Sequence, residues 1–392
     1  MKTLPDEKNH GDGKGISGLL TAALLFLCIL FVAFFSYRKS LDPKAGLADI
    51  VQYFQSLGEN TVNEAKVLHV YEYDAREDPL FAVYKDYIVK CGSSGVWFLD
   101  RSGNIVRTEN ILFSNPIMKA NGSLLMLADR GMGDICVLDG RTVRWSEKLD
   151  ASILNADISK EGYVTVVTTA KRDNNEIRVF EPHGIEYLRK IIAVDYAVSA
   201  CVSPSSKSLV LSAIGTEAAG AFSRYKFYDM EGEDIAMLVF NSEDGSAPEL
   251  VPLFRYNNDG SIFASGDRAV ISVDAEGKLL WKKVFRNVAG TGLVGDRQLA
   301  VAAEDEEGSL LRIYDADGRE LASCAISGKP RGLNARKGVI AVNTKDTAYF
   351  YDSRCRNFSR YSSRSGIKQV LLLNRQHAVI ITDREAVVVL LK

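Results

Sequence analysis

The feature that most constrains this chain is a repeat. Seven times a run of β-branched and aromatic residues ends in an acidic residue, at positions 100, 139, 181, 229, 274, 315 and 352. The intervals are 39, 42, 48, 45, 41 and 37 residues, averaging 42. A period of that length means stacked supersecondary units, each burying its apolar faces only against its neighbours. Gly103, Gly232, Gly277 and Gly318 stand three places after Asp100, Asp229, Asp274 and Asp315, whereas Asp139 is followed at once by Gly140 and Cys355 replaces glycine after Asp352. The unit reads as strand, tight turn, strand. The acid accepts hydrogen bonds from turn amides, and the glycine takes the left-handed conformation that closes a three- or four-residue hairpin loop.

Two more strands precede the acid in each unit, such as Tyr163 to Val167 or Val339 to Val342, with earlier turns at Asn258-Asp259-Gly260 and Ser203-Pro204-Ser205. Four strands per unit is the footprint of a propeller blade, so the fold class is all-β, a β-propeller. Glu385 to Lys392 aligns with a third strand and leaves an eighth unit without its outer strand. Lys66 to Asp74 is a strand with no unit of its own, and joining the two removes an open sheet edge. The expectation is eight four-stranded blades over 66–392; seven is the alternative, because the long interval ending at Asp229 has room for an irregular blade.

Ahead of the repeats, Gly15 to Tyr37 contains no charged residue. A helix of that length spans roughly 30 Å of hydrocarbon. It has no polar stripe, is too long for a signal peptide, and has bulky Phe34-Phe35 where a cleavage site needs small residues. We expect a tail at 1–14, a transmembrane helix at 15–37, and a linker at 38–65 holding a short amphipathic helix at 46–58. Lys2, Lys8 and Lys14 on one flank nearly cancel Arg38, Lys39 and Lys44 on the other, so charge does not set the orientation.

Lys and Arg total 48 against 50 Asp and Glu, a balance that gives no reason for nucleic-acid binding. Four histidines leave little material for a His-rich metal site. Six scattered cysteines contain no CxxC pair; they read as free, buried thiols and weigh somewhat against an oxidising exterior.

Val273-Asp274-Ala275-Glu276-Gly277-Lys278-Leu279-Leu280-Trp281 resembles the WD-like blade repeat of pyrroloquinoline-quinone-type propellers, whose tryptophan docks adjacent blades. Trp145 stands at the same place, while Arg107, Arg189 and Ala322 occupy it without matching. An anchor followed by a degenerate propeller is similar to an uncharacterised family, a domain of unknown function, of membrane-anchored propeller proteins from Gram-positive bacteria. The resemblance implies an extracytoplasmic propeller at the cell membrane and supplies no catalytic residues.

Other candidate motifs reduce to blade construction. Gly290-Thr291-Gly292-Leu293-Val294-Gly295 fits a dinucleotide fingerprint, but a strand follows it instead of a helix. Asp315-Ala316-Asp317-Gly318 lacks the further oxygen ligands of a calcium loop. The acidic run 304–307 reads as a solvated loop. Arg354, Arg356, Arg360, Arg364 and Lys368 form a basic stretch that is a candidate contact for anionic headgroups or a wall polymer, or else a charged edge that deters strand addition. There is no GxSxG, Walker loop or HExxH. The expected function is a non-catalytic binding scaffold for protein or envelope partners, with no cofactor and no metal. The alternative is an enzyme or ligand sensor that uses the central channel, resembling a quinone-dependent dehydrogenase.

Overall fold

The computed structural model describes residues 62–392 apart from 141, 172–173 and 242–247. The anchor expected at 15–37 and the helix expected at 46–58 lie outside the described residues. Among the described residues no helix is long and apolar enough to cross a membrane.

Eight sheets follow one another along the chain. In the first, Leu80–Tyr84 is innermost, Tyr87–Gly92 and Gly95–Leu99 lie in the middle, and Ile105–Glu109 is outermost, all antiparallel. The next five repeat this order from the inner strands Pro116–Asn121, Ile153–Ile158, Tyr196–Val202, Leu253–Tyr256 and Asn287–Gly295. The seventh runs from Gly332–Arg336 to Asn357–Ser362, with Asn63–Glu64 added in parallel at its rim. The eighth has only three consecutive strands, Gln369–Leu372, His377–Ile381 and Glu385–Leu390. Its outer strand is Lys66–Glu72, registered from Lys66 opposite Leu390 to Glu72 opposite Glu385. This pairing closes the ring, and the architecture is an eight-bladed propeller.

Antiparallel order sorts the connections onto two faces. One face, the turn face, carries the tight hairpins after the inner strands and after the third strands. The other, the loop face, carries the remaining hairpins and the crossings between blades. Apolar residues fill the space between blades, with one buried cluster at each of the eight interfaces. At the closing interface Leu371, Val379 and Val388 of blade eight pack with Phe81, Ile88 and Leu99 of blade one. Middle strands such as Leu124–Asp129 are buried throughout, whereas outer strands such as Leu279–Val284 alternate with solvent, as period-2 geometry requires.

Candidate functional site

The repeated acid and glycine build the turn face. Asp274 Oδ1 accepts from the amides of Glu276 at 3.1 Å and Lys278 at 2.7 Å. Gly277 N–H donates to the Asp274 carbonyl at 3.2 Å with φ at +87°. Asp100, Asp315 and Asp352 each take two turn amides in the same way, and Asp229 takes that of Glu233. Gly103, Gly232 and Gly318 have φ of +77°, +88° and +77°. In six blades the pairing to the outer strand slips between the two residues before the acid, the bulge that accompanies a three-residue loop closed by a left-handed residue. Asp139 departs from this scheme: Gly140 carries the positive φ directly after it, and its carboxylate faces Lys85 Nζ of blade one at 3.4 Å. A glycine one place after the acid leaves no room for the three-residue loop that the acid would cap.

The same turns are seats for the preceding blade. A Cβ at Gly318 would lie 2.7 Å from Trp281 Cγ, and the indole donates to the Ala316 carbonyl at 2.8 Å. Trp145 lies against Gly184, Leu188 against Gly232, Ala236 against Gly277 and His69 against Gly103, while Arg107 Nη1 donates to the Gly140 carbonyl at 3.2 Å. Each of Arg107, Trp145, Leu188, Ala236, Trp281 and Ala322 pairs with the residue two before its unit's acid. The docking residue of blade three is therefore Leu188 and not Arg189: Leu188 follows Glu181 by seven residues, as Trp281 follows Asp274. Arg189 instead pairs with Glu186 at 2.9 Å.

Inner strands from separate blades bring ionisable groups to the channel. Lys119 Nζ of blade two lies 3.9 Å from Asp157 of blade three, whose side chain is 27% exposed. Burial pushes the Asp157 carboxyl above its ordinary range, against the pull of Lys119 and of Arg255 on blade five. The fingerprint glycines lie on the inner strand of blade six. A Cβ at Gly290 would meet the Leu333 amide nitrogen at 2.8 Å and one at Gly292 the Ala335 Cβ at 2.9 Å, so these two glycines admit the inner strand of blade seven, whereas nothing lies within 4 Å of a Cβ at Gly295.

Exposed apolar residues are unevenly spread over the loop face. Leu80, Leu112, Met132, Val194, Tyr196 and Leu253 are exposed there on blades one to five, Val194 by 83%. Leu112 also borders a cavity of about 470 Å³ with Ile111, Phe113, Ile135 and Val143. A second cavity of about 370 Å³ shares Glu147 and Lys148 with the first and is walled by Arg178 and Arg189. The same face carries ion pairs all round the ring, among them Lys226 with Asp195 at 2.9 Å, Lys282 with Glu249 at 2.8 Å, Lys329 with Glu304 at 3.0 Å and Lys368 with Asp383 at 3.3 Å. The acidic run is thus engaged, since Arg312 also pairs with Asp305 and Glu307.

The basic stretch does not converge. Arg354 and Arg356 lie at the turn that starts the outer strand Asn357–Ser362, Arg364 and Lys368 beyond its other end. Arg356 pairs with Asp352 at 2.6 Å, Arg360 with Glu64 at 2.6 Å and Lys368 with Asp78 at 3.1 Å. Among the described residues no cluster of His, Cys, Asp and Glu is arranged to hold a metal.

Fold and site together define an eight-bladed propeller with an apolar sector on one face. Residues 59–391 match the model of a family of unknown function, DUF5711, and the chain belongs to that family. No curated protein matches the sequence. Among solved structures, Sqt1 from Saccharomyces cerevisiae is similar with a TM-score of 0.62 at 10% identity, covering 84% of this chain and 100% of that one. Sqt1 from Chaetomium thermophilum gives 0.57 at 10% identity, covering 84% and 97%. BamB from Moraxella catarrhalis gives 0.52 at 15% identity, covering 83% and 99%. At these identities the likeness is one of fold.

Proposed function

We propose that this protein is a single-pass, membrane-anchored propeller whose loop face is a non-catalytic docking platform for a protein partner at the cell envelope, outside the cytoplasm. The observation that carries the reading is the set of exposed apolar side chains Leu112, Met132, Val194, Tyr196 and Leu253 on that face. Exposed apolar side chains gathered on one side of a ring mark an interaction surface. The cavity beside Leu112 has the volume to receive apolar side chains of a partner segment. The uncharged run at 15–37 supports the anchor.

Replacing Tyr196 and Leu253 together with lysine tests the reading. Partner association measured by co-purification from intact membranes should be lost while the melting temperature stays within about 1 °C, since both side chains are exposed. Undiminished association would refute it. The converging Lys119, Asp157 and Arg255 favour a second reading, a small ligand bound in the channel. Ligand-dependent protection of the channel strands from hydrogen exchange, abolished by Lys119→Ala, would support that reading over the first.

A further inference from the structure

Seven hairpins join a third strand to an outer strand, and six have glycine as their left-handed residue. The seventh has Cys355, at φ +59°. The turn keeps its shape, and a side chain now enters the interface between blades six and seven. Its Sγ lies 3.7 Å from the Leu311 carbonyl oxygen, and Leu311 is paired across the blade-six ladder with Cys324. The docking residue of that outer strand is Ala322, where blades two and five have tryptophan, so the space a large ring takes elsewhere is open to sulfur. Cys355 is buried and Cys324 half-buried.

We propose that Cys324 and Cys355 form a reversible disulfide that staples blade six to blade seven, making this interface redox-sensitive. The oxidant class is a small disulfide. The Cys324 thiolate attacks one of its sulfurs, expelling one thiol and leaving a mixed disulfide on Cys324. Cys355 then gives up its proton to water and attacks Cys324 Sγ, expelling the second thiol. Two protein thiols are oxidised by two electrons, and the external disulfide is reduced to two thiols. The division of roles follows access, since only Cys324 is reachable. It agrees with the mutual influence of the neighbouring thiols, which holds Cys324 below the usual thiol range and, with burial, pushes Cys355 up. The proposal stands apart from the docking role and from the membrane orientation.

The test uses the full chain in detergent, incubated with oxidised glutathione and then titrated under denaturing conditions. Thiols should fall from six to four per chain, and non-reducing peptide mapping should join 324 to 355. The melting temperature should rise by roughly 5 °C and return on reduction. Cys355→Gly, which restores the residue of the other turns, should fold normally, accumulate glutathione on Cys324 and show no rise. Cys324→Ser should keep its other five thiols. Retention of six thiols, glutathione left on Cys324 of the unmutated chain, or a link between other cysteines would each overturn the proposal.

Discussion

Substituting alanine for Gly277 and, separately, for Gly338 isolates the energy of blade docking from that of turn strain. Their φ values are +87° and +82°, so the cost of placing an L-residue there, about 1–2 kcal/mol, is common to both. Their surroundings differ. Around Gly338 nothing lies within 4 Å of the added Cβ. At Gly277 the methyl would meet Ala236 Cβ and Phe227 Cδ2, each at 2.9 Å, and Phe227 is buried beside the blade four–five interface. Relieving that overlap forces two packed blades apart, an overpacking cost of about 1–3 kcal/mol. Gly277→Ala should therefore destabilise by about 2–5 kcal/mol and Gly338→Ala by about 1–2 kcal/mol. In urea, with a slope of about 3 kcal/mol/M, the two midpoints should be separated by roughly 0.3–1 M. Asparagine at 277 eases the strain but keeps the overlap, so it should recover only part of the loss. Equal midpoints for the two alanine variants would refute the claim that these turns are blade seats.

Deleting the closing strand, by starting the chain at residue 78 instead of 59, should expose Glu385–Leu390 and cause aggregation in sedimentation experiments; a monomer with unchanged melting temperature would contradict closure. Trp281→Phe should cost about 1 kcal/mol in chemical denaturation by losing the bond to Ala316 while keeping a ring against Gly318. Because the folded state raises the Asp157 pKa, the stability tied to its proton is complete below the unfolded value of about 3.9 and is lost as pH rises through the folded value. Asp157→Asn should accordingly raise the melting temperature at pH 7 and lose that advantage near pH 4. Protease added to intact cells should digest the region after Arg38; protection until lysis would reverse the orientation.

The blade architecture was legible because left-handed turns demand particular residues. Acid and glycine recur in the hairpins between third and outer strands, with two departures, the shorter spacing at Asp139 and Cys355 in place of glycine after Asp352. Closure was legible because an unpaired third strand at one end and a spare strand at the other are a sheet edge and its cover. The docking residues were not. Their position is set by a bulged register, and the side chains are as unlike as His69, Arg107, Leu188 and Trp281, since a glycine seat accepts any of them. The seven-residue interval from Asp274 to Trp281 leads to Leu188 when counted from Glu181, but nothing in a leucine marks it as a docking residue. The apolar sector and the channel cluster were also beyond the sequence. Leu112, Val194 and Leu253 come from separate blades and share a face only in the folded ring, as Lys119, Asp157 and Arg255 share the channel.

The measurement that bears most directly on the docking role is site-specific photo-crosslinking in intact cells, with the probe placed in turn at 112, 194 and 253 on the loop face and at 321, an exposed apolar position at the turn-face end of blade six. One and the same partner protein should be captured from the three loop-face positions and not from 321. Capture that is equal at 321, or products at 112, 194 and 253 that are lipid and not protein, would contradict the account.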